Sequence, residues 1–318
     1  MSRRQVRANQ EANKQVKKKK IIAVIMILVL VGVLYGLFSW AYSKISGMMI
    51  NVQPVKIGRL EKIVRCRAVV INHEFVANAP GNGRFENLLR EGEKVRKGGL
   101  VGYFYRTDTN EPEKMWAPYS GVVCYHPDVR ENWLQGLGLS SSAEQILKYT
   151  PEPVNDGSFE YQAGQPVFRI IDNLVPTRLV VEMESKQAKK QGLDQKNRVL
   201  IRYRDQELSK ARFESVSENG EKLLAFLSFN QFQDALLETR RPLLDCVVDR
   251  GEGLVVPTNA IVKKGNKTGV FYLHEELYQF KTVQIVFMQD DLAIVKGVDE
   301  GERVVTTPSL VQEGMPYE

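Results

Sequence analysis

Apolar positions in this chain alternate with polar ones in short runs, and few stretches carry them at helical spacing. Beyond residue 52, runs of about four to eight residues rich in Val, Ile, Leu, Phe and Tyr are bounded by Gly, Pro, Asn and Asp, the pattern of half-buried strands. Val55, Ile57, Leu60, Ile63 and Val64, interrupted by Gly58, lead into Ala68-Val69-Val70-Ile71. Arg178-Leu179-Val180-Val181-Glu182, Arg198-Val199-Leu200-Ile201-Arg202-Tyr203, Leu223-Leu224-Ala225-Phe226-Leu227 and Cys246-Val247-Val248 read as further strands. Near the C-terminus, 269–273 is expected to pair with one strand over 280–286. Helices are predicted at 185–191, ended by Gly192, and at 230–239, with Asn230 and Gln233 as the capping pair. Another is predicted around Ile146-Leu147, where Ser142 and Gln145 form a capping box and Pro151 stops the helix; 131–137 is weakly helical. The fold class is mainly β.

Two stretches share a signature. Ala79-Pro80-Gly81-Asn82-Gly83 and Ala117-Pro118-Tyr119-Ser120-Gly121 both read A-P-x-x-G. Each is followed by G-x-x-V, from Gly92 in the first copy and Gly164 in the second, and each closes with an aromatic-apolar strand. A repeat of this kind predicts two β half-units packed on each other. The polar segment 105–114 joins the halves, and the second copy is split by an insert near 126–158.

One run stands outside the strand pattern. Residues 21–42 carry no charge and are mainly apolar. About 20 such residues cross a bilayer core of about 30 Å. Eight basic residues and one acid lie in residues 1–20, and Trp40 and Tyr42 end the run. The positive-inside rule and the interfacial aromatics predict an uncleaved single-pass anchor, with the N-terminus cytoplasmic and the main body extracytoplasmic. A cleaved signal peptide fits less well, because its apolar region is shorter and Ser39-Trp40-Ala41 is a poor processing site. The charge bookkeeping agrees. The chain is +6 and its first 20 residues alone are +7, which leaves −1 for the rest. No basic face is implied for the body, and nucleic acid is not an expected partner.

In order along the chain, these motifs resemble the HlyD-like periplasmic adaptor (membrane-fusion) family. Ala79, Pro80, Gly83 and Gly92 match the first half of that family's lipoyl-like domain, and Ala117, Pro118, Gly121 and Gly164 the second. Val256-Pro257-Thr258-Asn259-Ala260-Ile261-Val262, with Gly301-Glu302-Arg303-Val304-Val305, is similar to its membrane-proximal domain. The resemblance implies a basic tail (1–20), a transmembrane helix (21–42), a linker (43–51) and N-terminal strands (52–75). A lipoyl-like barrel-sandwich domain (76–172), a small β-barrel domain (173–252) and a membrane-proximal β domain (253–318) would follow. It implies a non-catalytic adaptor subunit of an export or efflux system without cofactor. Such a subunit sits at the membrane, docks on an integral-membrane transporter (ABC or similar) and forms a homo-oligomer. Typical members carry a long helical hairpin between the lipoyl halves, which this chain lacks. That departure favours a single-membrane envelope and keeps open an alternative, a cell-envelope or division scaffold without a transport role.

Little chemistry is legible. Cys124-Tyr125-His126 followed by Asp128 is a C-x-H pair with no second cluster, so no metal site is expected. Cys66, Cys124 and Cys246 are odd in number and set in β-like apolar runs; buried thiols are expected, with one bridge left open. Lys114 lies near the junction of the halves but lacks the setting of a modified lysine. No catalytic constellation is present in the sequence, and Asp290-Asp291 reads as a turn. Trp133, Leu134, Leu137, Ile146, Leu147 and Tyr149 give the insert many apolar residues. They are expected either to pack on the lipoyl-like unit or to form a partner patch.

Overall fold

The computed structural model describes residues 50–317 apart from 110, 129, 131–141, 153 and 155–159, together with positions 30, 32 and 34. In chain order, β1 (Val52–Pro54) and β2 (Lys56–Ile71) come first. The first repeat follows as β3 (Glu74–Asn78), β4 (Gly83–Asn87), β5 (Lys94–Val95) and β6 (Leu100–Arg106). The second repeat is β7 (Glu113–Trp116), β8 (Gly121–Cys124), β9 (Glu160–Tyr161) and β10 (Pro166–Ile171), with helix α1 (Ala143–Leu147) between β8 and β9. Then come β11 (Arg178–Glu184), α2 (Ser185–Gln191), β12 (Arg198–Tyr203), β13 (Gln206–Asn219), β14 (Lys222–Ser228) and β15 (Leu243–Pro257). The chain closes with β16 (Ile261–Lys264), β17 (Lys267–His274), β18 (Leu277–Thr282), β19 (Gln284–Gln289), β20 (Leu292–Lys296) and β21 (Arg303–Val305). Two compact units result, one of Glu61–Arg250 and one of Met1–Leu60 with Gly251–Glu318.

Within Glu61–Arg250 the repeat becomes two four-stranded sheets, ordered β3-β10-β8-β5 and β7-β6-β4-β9. Exchanging each strand for its counterpart in the other repeat turns one order into the other. The halves therefore interlock as a pseudo-two-fold sandwich, each sheet taking two strands from each copy. Side chains from both sheets fill one core, including Ala77, Val101, Phe104, Val123, Phe168 and Ile170. The signature residues have physical reasons. A Cβ on Gly83 would lie 2.0 Å from the Tyr105 carbonyl oxygen, and one on Gly121 would lie 2.3 Å from that of Ile171. Tyr105 and Ile171 are counterparts in the closing strands, so both copies exclude a side chain at the same place. Gly92 (φ 76°) and Gly164 (φ 82°) occupy the left-handed region, which glycine enters without a steric cost. Ala79 exchanges backbone bonds with Gly164 and Gln165, and Ala117 with Gly98 and Gly99, each just ahead of the other copy's closing strand.

The rest of this unit is a six-stranded barrel. Its neighbours run β2-β11-β14-β13-β12-β15, and β15 returns to β2. Closure removes the free edges of the sheet. Val64, Ala68, Val70, Leu179, Val181, Leu223, Ala225 and Leu227 point inward at every second position. Helix α2 ends at Gly192 in the left-handed conformation (φ 73°), and Ala188 joins the barrel core. The intervening residues Val69, Val180 and Leu224 point outward. They are nonetheless buried, because Ala143, Ile146, Leu147 and Tyr149 of the insert cover them.

In the other unit, β1-β21-β17-β16 form a sheet with β18 added to β17, and the C-terminal part of β15 pairs with β20, which pairs with β19. Val55, Val256, Val270, Val295 and Val304 share its core. The single strand expected over 280–286 is two. Val283 is buried and donates its N–H to Thr268, after which the chain leaves β17 for β20. The helix expected over 230–239 is one short 3-10 turn, Asp234–Leu236. Gln233 is engaged elsewhere: its backbone N–H goes to the Thr177 hydroxyl and its amide to Ser209 and the Gln231 carbonyl. The apolar run over 21–42 lies almost wholly outside the described residues. Among the described residues no helix is long and apolar enough to cross a membrane.

Candidate functional site

The insert leaves the sandwich at the end of β8, and a connecting segment between β14 and β15 crosses the same region. Leu237 on that segment packs with Val122, Cys124 and Ile171 on the outer face of the β3-β10-β8-β5 sheet. Alternation along β10 turns Phe168 and Ile170 into the sandwich core and Arg169 outward under that segment. Arg169 is 1% exposed. It donates to Glu74 on β3 at 3.5 Å, to the Leu237 carbonyl at 3.1 Å and to Cys124 Sγ at 3.0 Å. Arg240, from the crossing segment, also bonds Glu74 and donates to the Val70 carbonyl of the barrel at 3.4 Å. One buried carboxylate thus bridges two buried guanidiniums, and the network ties sandwich, crossing segment and barrel together. Charges removed from water in this way persist only when paired and hydrogen-bonded.

A cleft of about 380 Å³ opens beside this network, lined by Tyr125, His126, Asp128, Tyr161, Glu238 and Arg240 among others. Asp128 is buried and accepts from the Tyr149 hydroxyl and from the Arg130 N–H. Arg241 donates to the Tyr149 carbonyl at 2.6 Å, which fixes the return of the insert. Beside the cleft, at the lining residue His126, Glu91 from the turn before β5 meets Cys124 and His126. Their candidate ligand atoms all lie within 4.8 Å of one another. His126 Nδ1 is 3.5 Å from Glu91 Oε2, and the Tyr125 N–H donates to that same oxygen at 2.7 Å. Burial pushes the Cys124 thiol up to about 11, with the Arg169 charge pulling partly against it. Burial, and then the charge of Glu91, raise the Tyr125 hydroxyl well above its ordinary value.

The residues singled out in the sequence separate clearly. Ala79, Pro80, Gly83, Gly92, Ala117, Pro118, Gly121 and Gly164 sit at the turns and close approaches of the two half-units. Trp133, Leu134 and Leu137 lie outside the described residues. Ile146, Leu147 and Tyr149 are buried, and they cover the barrel rather than the two-sheet sandwich. Their burial answers the outward residues of β2, β11 and β14, which are apolar and require cover. Capping of α1 is as the sequence suggests: Ser142 accepts from the Gln145 N–H and Gln145 from that of Ser142. Asp128 does not join Cys124 and His126; Glu91 does. Nothing in the spacing marks Glu91, because it arrives from the other repeat. Likewise Glu74, Arg169 and Arg240 look like ordinary charged residues in the sequence. Cys66 and Cys246 are buried free thiols with sulfurs 3.6 Å apart. Their mutual hydrogen bond, then burial, hold the Cys66 thiol well above its ordinary value. Lys114 is exposed on β7, and Asp290 and Asp291 are exposed between β19 and β20.

No protein-family model matches the chain, and no curated protein sequence does. Solved structures do. MacA from Actinobacillus actinomycetemcomitans is similar over 80% of this chain and 99% of its own, at 14% identity and a TM-score of 0.34. ZneB from Cupriavidus metallidurans is similar over 81% and 92%, at 13% identity and 0.29. The membrane fusion protein Spr0693 from Streptococcus pneumoniae R6 is similar over 56% and 97%, at 9% identity and 0.27. Likenesses at these scores assign no substrate and no residue role.

Proposed function

We propose that this chain is a non-catalytic, membrane-anchored extracytoplasmic adaptor subunit of an export or efflux system. The observation that carries the reading is the interlocked pseudo-two-fold sandwich, the lipoyl-like arrangement that the A-P-x-x-G repeat leads one to expect, followed in the chain by a closed barrel and a C-terminal β unit. A second observation supports the anchor-proximal place of that last unit. β1 starts at Val52, shortly after the apolar run ends, and pairs residue by residue with β21 near the C-terminus. The first strand after the apolar run would then share one unit with β21, next to the membrane. The partners expected are an integral-membrane transporter and further copies of the chain. Deletion should abolish export of the transporter's substrate, and wild-type chain supplied in trans should restore it. Export unchanged by deletion would defeat the proposal.

One feature favours the alternative of an envelope or division scaffold. Only the short turn between β6 and β7 joins the two half-units, with no helical hairpin between them. Depletion with imaging separates the two readings: a division or wall defect with intact export supports the scaffold.

A further inference from the structure

We propose that Glu91, Cys124 and His126 form a binding site for a borderline-soft divalent cation of the zinc type, beside the cleft and where the insert begins. The donor set is one thiolate, one imidazole and one carboxylate, the mixture that zinc accepts with a fourth position left for water. Tetrahedral zinc, with sulfur at about 2.3 Å and nitrogen or oxygen at about 2.0–2.2 Å, spaces its ligand atoms roughly 3.3–3.7 Å apart. The His126–Glu91 edge is already 3.5 Å. Every separation is 4.8 Å or less, and the His126 side chain, 57% exposed, has room to turn toward the other two ligands.

The surroundings fit this role. Among the described residues Glu91 Oε1 is buried and accepts no hydrogen bond that meets the geometry of one, a lone-pair donor that a cation would satisfy. The Tyr125 N–H holds the other carboxylate oxygen in place. Arg169 donates to Cys124 Sγ at 3.0 Å, and an N–H donor on sulfur stabilises a metal-bound thiolate from the outer shell. The guanidinium's own charge is partly offset by Glu74, which Arg169 shares with Arg240. On binding, the sulfur–metal bond replaces the S–H bond and the thiol proton leaves to solvent. Glu91 belongs to the first half-unit, Cys124 ends a strand of the second, and His126 opens the insert. The ion would therefore cross-link the two halves of the repeat and fix the origin of the insert. The proposal stands independently of the adaptor reading.

The test is a Co²⁺ titration of the full chain in detergent, followed by Zn²⁺ displacement. One equivalent should bind with a near-ultraviolet thiolate-to-cobalt charge-transfer band, and Zn²⁺ should abolish the band. C124S should lose the band, and H126A and E91Q should each weaken binding by about tenfold or more. Wild-type affinity in H126A, or a charge-transfer band that persists in C124S through Cys66 or Cys246, would overturn the site. Should C124S fail to fold, H126A decides alone, because its side chain lies outside the core.

Discussion

Replacing Glu74 by Gln keeps the shape of the buried network and removes the negative charge that Arg169 and Arg240 share. The Glu74 side chain is 3% exposed, and those of Arg169 and Arg240 are 1% and 4% exposed. At an effective dielectric of about 20, unit charges 3.5 Å apart attract by about 4–5 kcal/mol. Removing one partner of a buried pair costs about 3–5 kcal/mol, because the remaining charge stays desolvated. The E74Q chain should therefore lose about 3–5 kcal/mol in the Glu61–Arg250 unit. With a urea slope of about 2 kcal/mol/M, that moves the midpoint down by about 1.5–2.5 M. Urea unfolding of the full chain in detergent is followed by intrinsic fluorescence, to which Trp116 on β7 of the sandwich contributes alongside Trp40 and Trp133. The control is E218Q, which breaks the exposed Lys189–Glu218 pair (52% and 49% exposed) and should change stability by about 0.5 kcal/mol or less. A midpoint for E74Q indistinguishable from that of E218Q would refute the claim that one carboxylate holds sandwich, crossing segment and barrel together.

Further outcomes follow from the same geometry. G83A and G121A should destabilise the unit alike, by about 1–3 kcal/mol or more, because each methyl would meet a backbone oxygen at the equivalent place; thermal melts of the two variants check this. I146A should cost about 2–5 kcal/mol and expose the insert to limited proteolysis, since Ile146 is 1% exposed against the barrel. Glu214 gives an acid-limb prediction. Burial raises its carboxyl, but hydrogen bonds from Arg178 and Ser228 and the arginine charge outweigh burial and hold it below the ordinary carboxylate value. Its contribution is then fully present above the unfolded-state value and is lost as pH falls through the folded one. Stability measured from neutral pH downward should fall less steeply in E214Q than in wild type.

The β character and the repeat were legible because both rest on local rules. Alternation marks strands, and the close approaches of Gly83 and Gly121 leave a visible glycine in each copy. The cover of the barrel was written in the sequence as well, although it reads ambiguously. Ala68-Val69-Val70, Leu179-Val180-Val181 and Leu223-Leu224-Ala225 are apolar on both faces, which signals strands buried on both sides. Only the fold shows that the insert supplies the second cover. The site was not legible, because its members come from different half-units. Glu91 meets Cys124 and His126, and Glu74 meets Arg169 and Arg240, through pairings between the two copies or across the β14–β15 crossing. Sequence spacing carries no trace of such encounters. The helix expected over 230–239 failed for a related reason: Thr177 and Ser209, distant in sequence, take the hydrogen bonds of Gln233.

The adaptor reading meets its most direct test in native membranes. A photo-crosslinking residue placed at exposed positions of the C-terminal unit, such as Val286 and Met288 on β19, would be activated in living cells and the adducts identified. The account predicts adducts to a multi-span transporter whose export activity is lost when this chain is deleted. Adducts confined to wall-synthesis or division proteins, with export intact in the deletion strain, would contradict it.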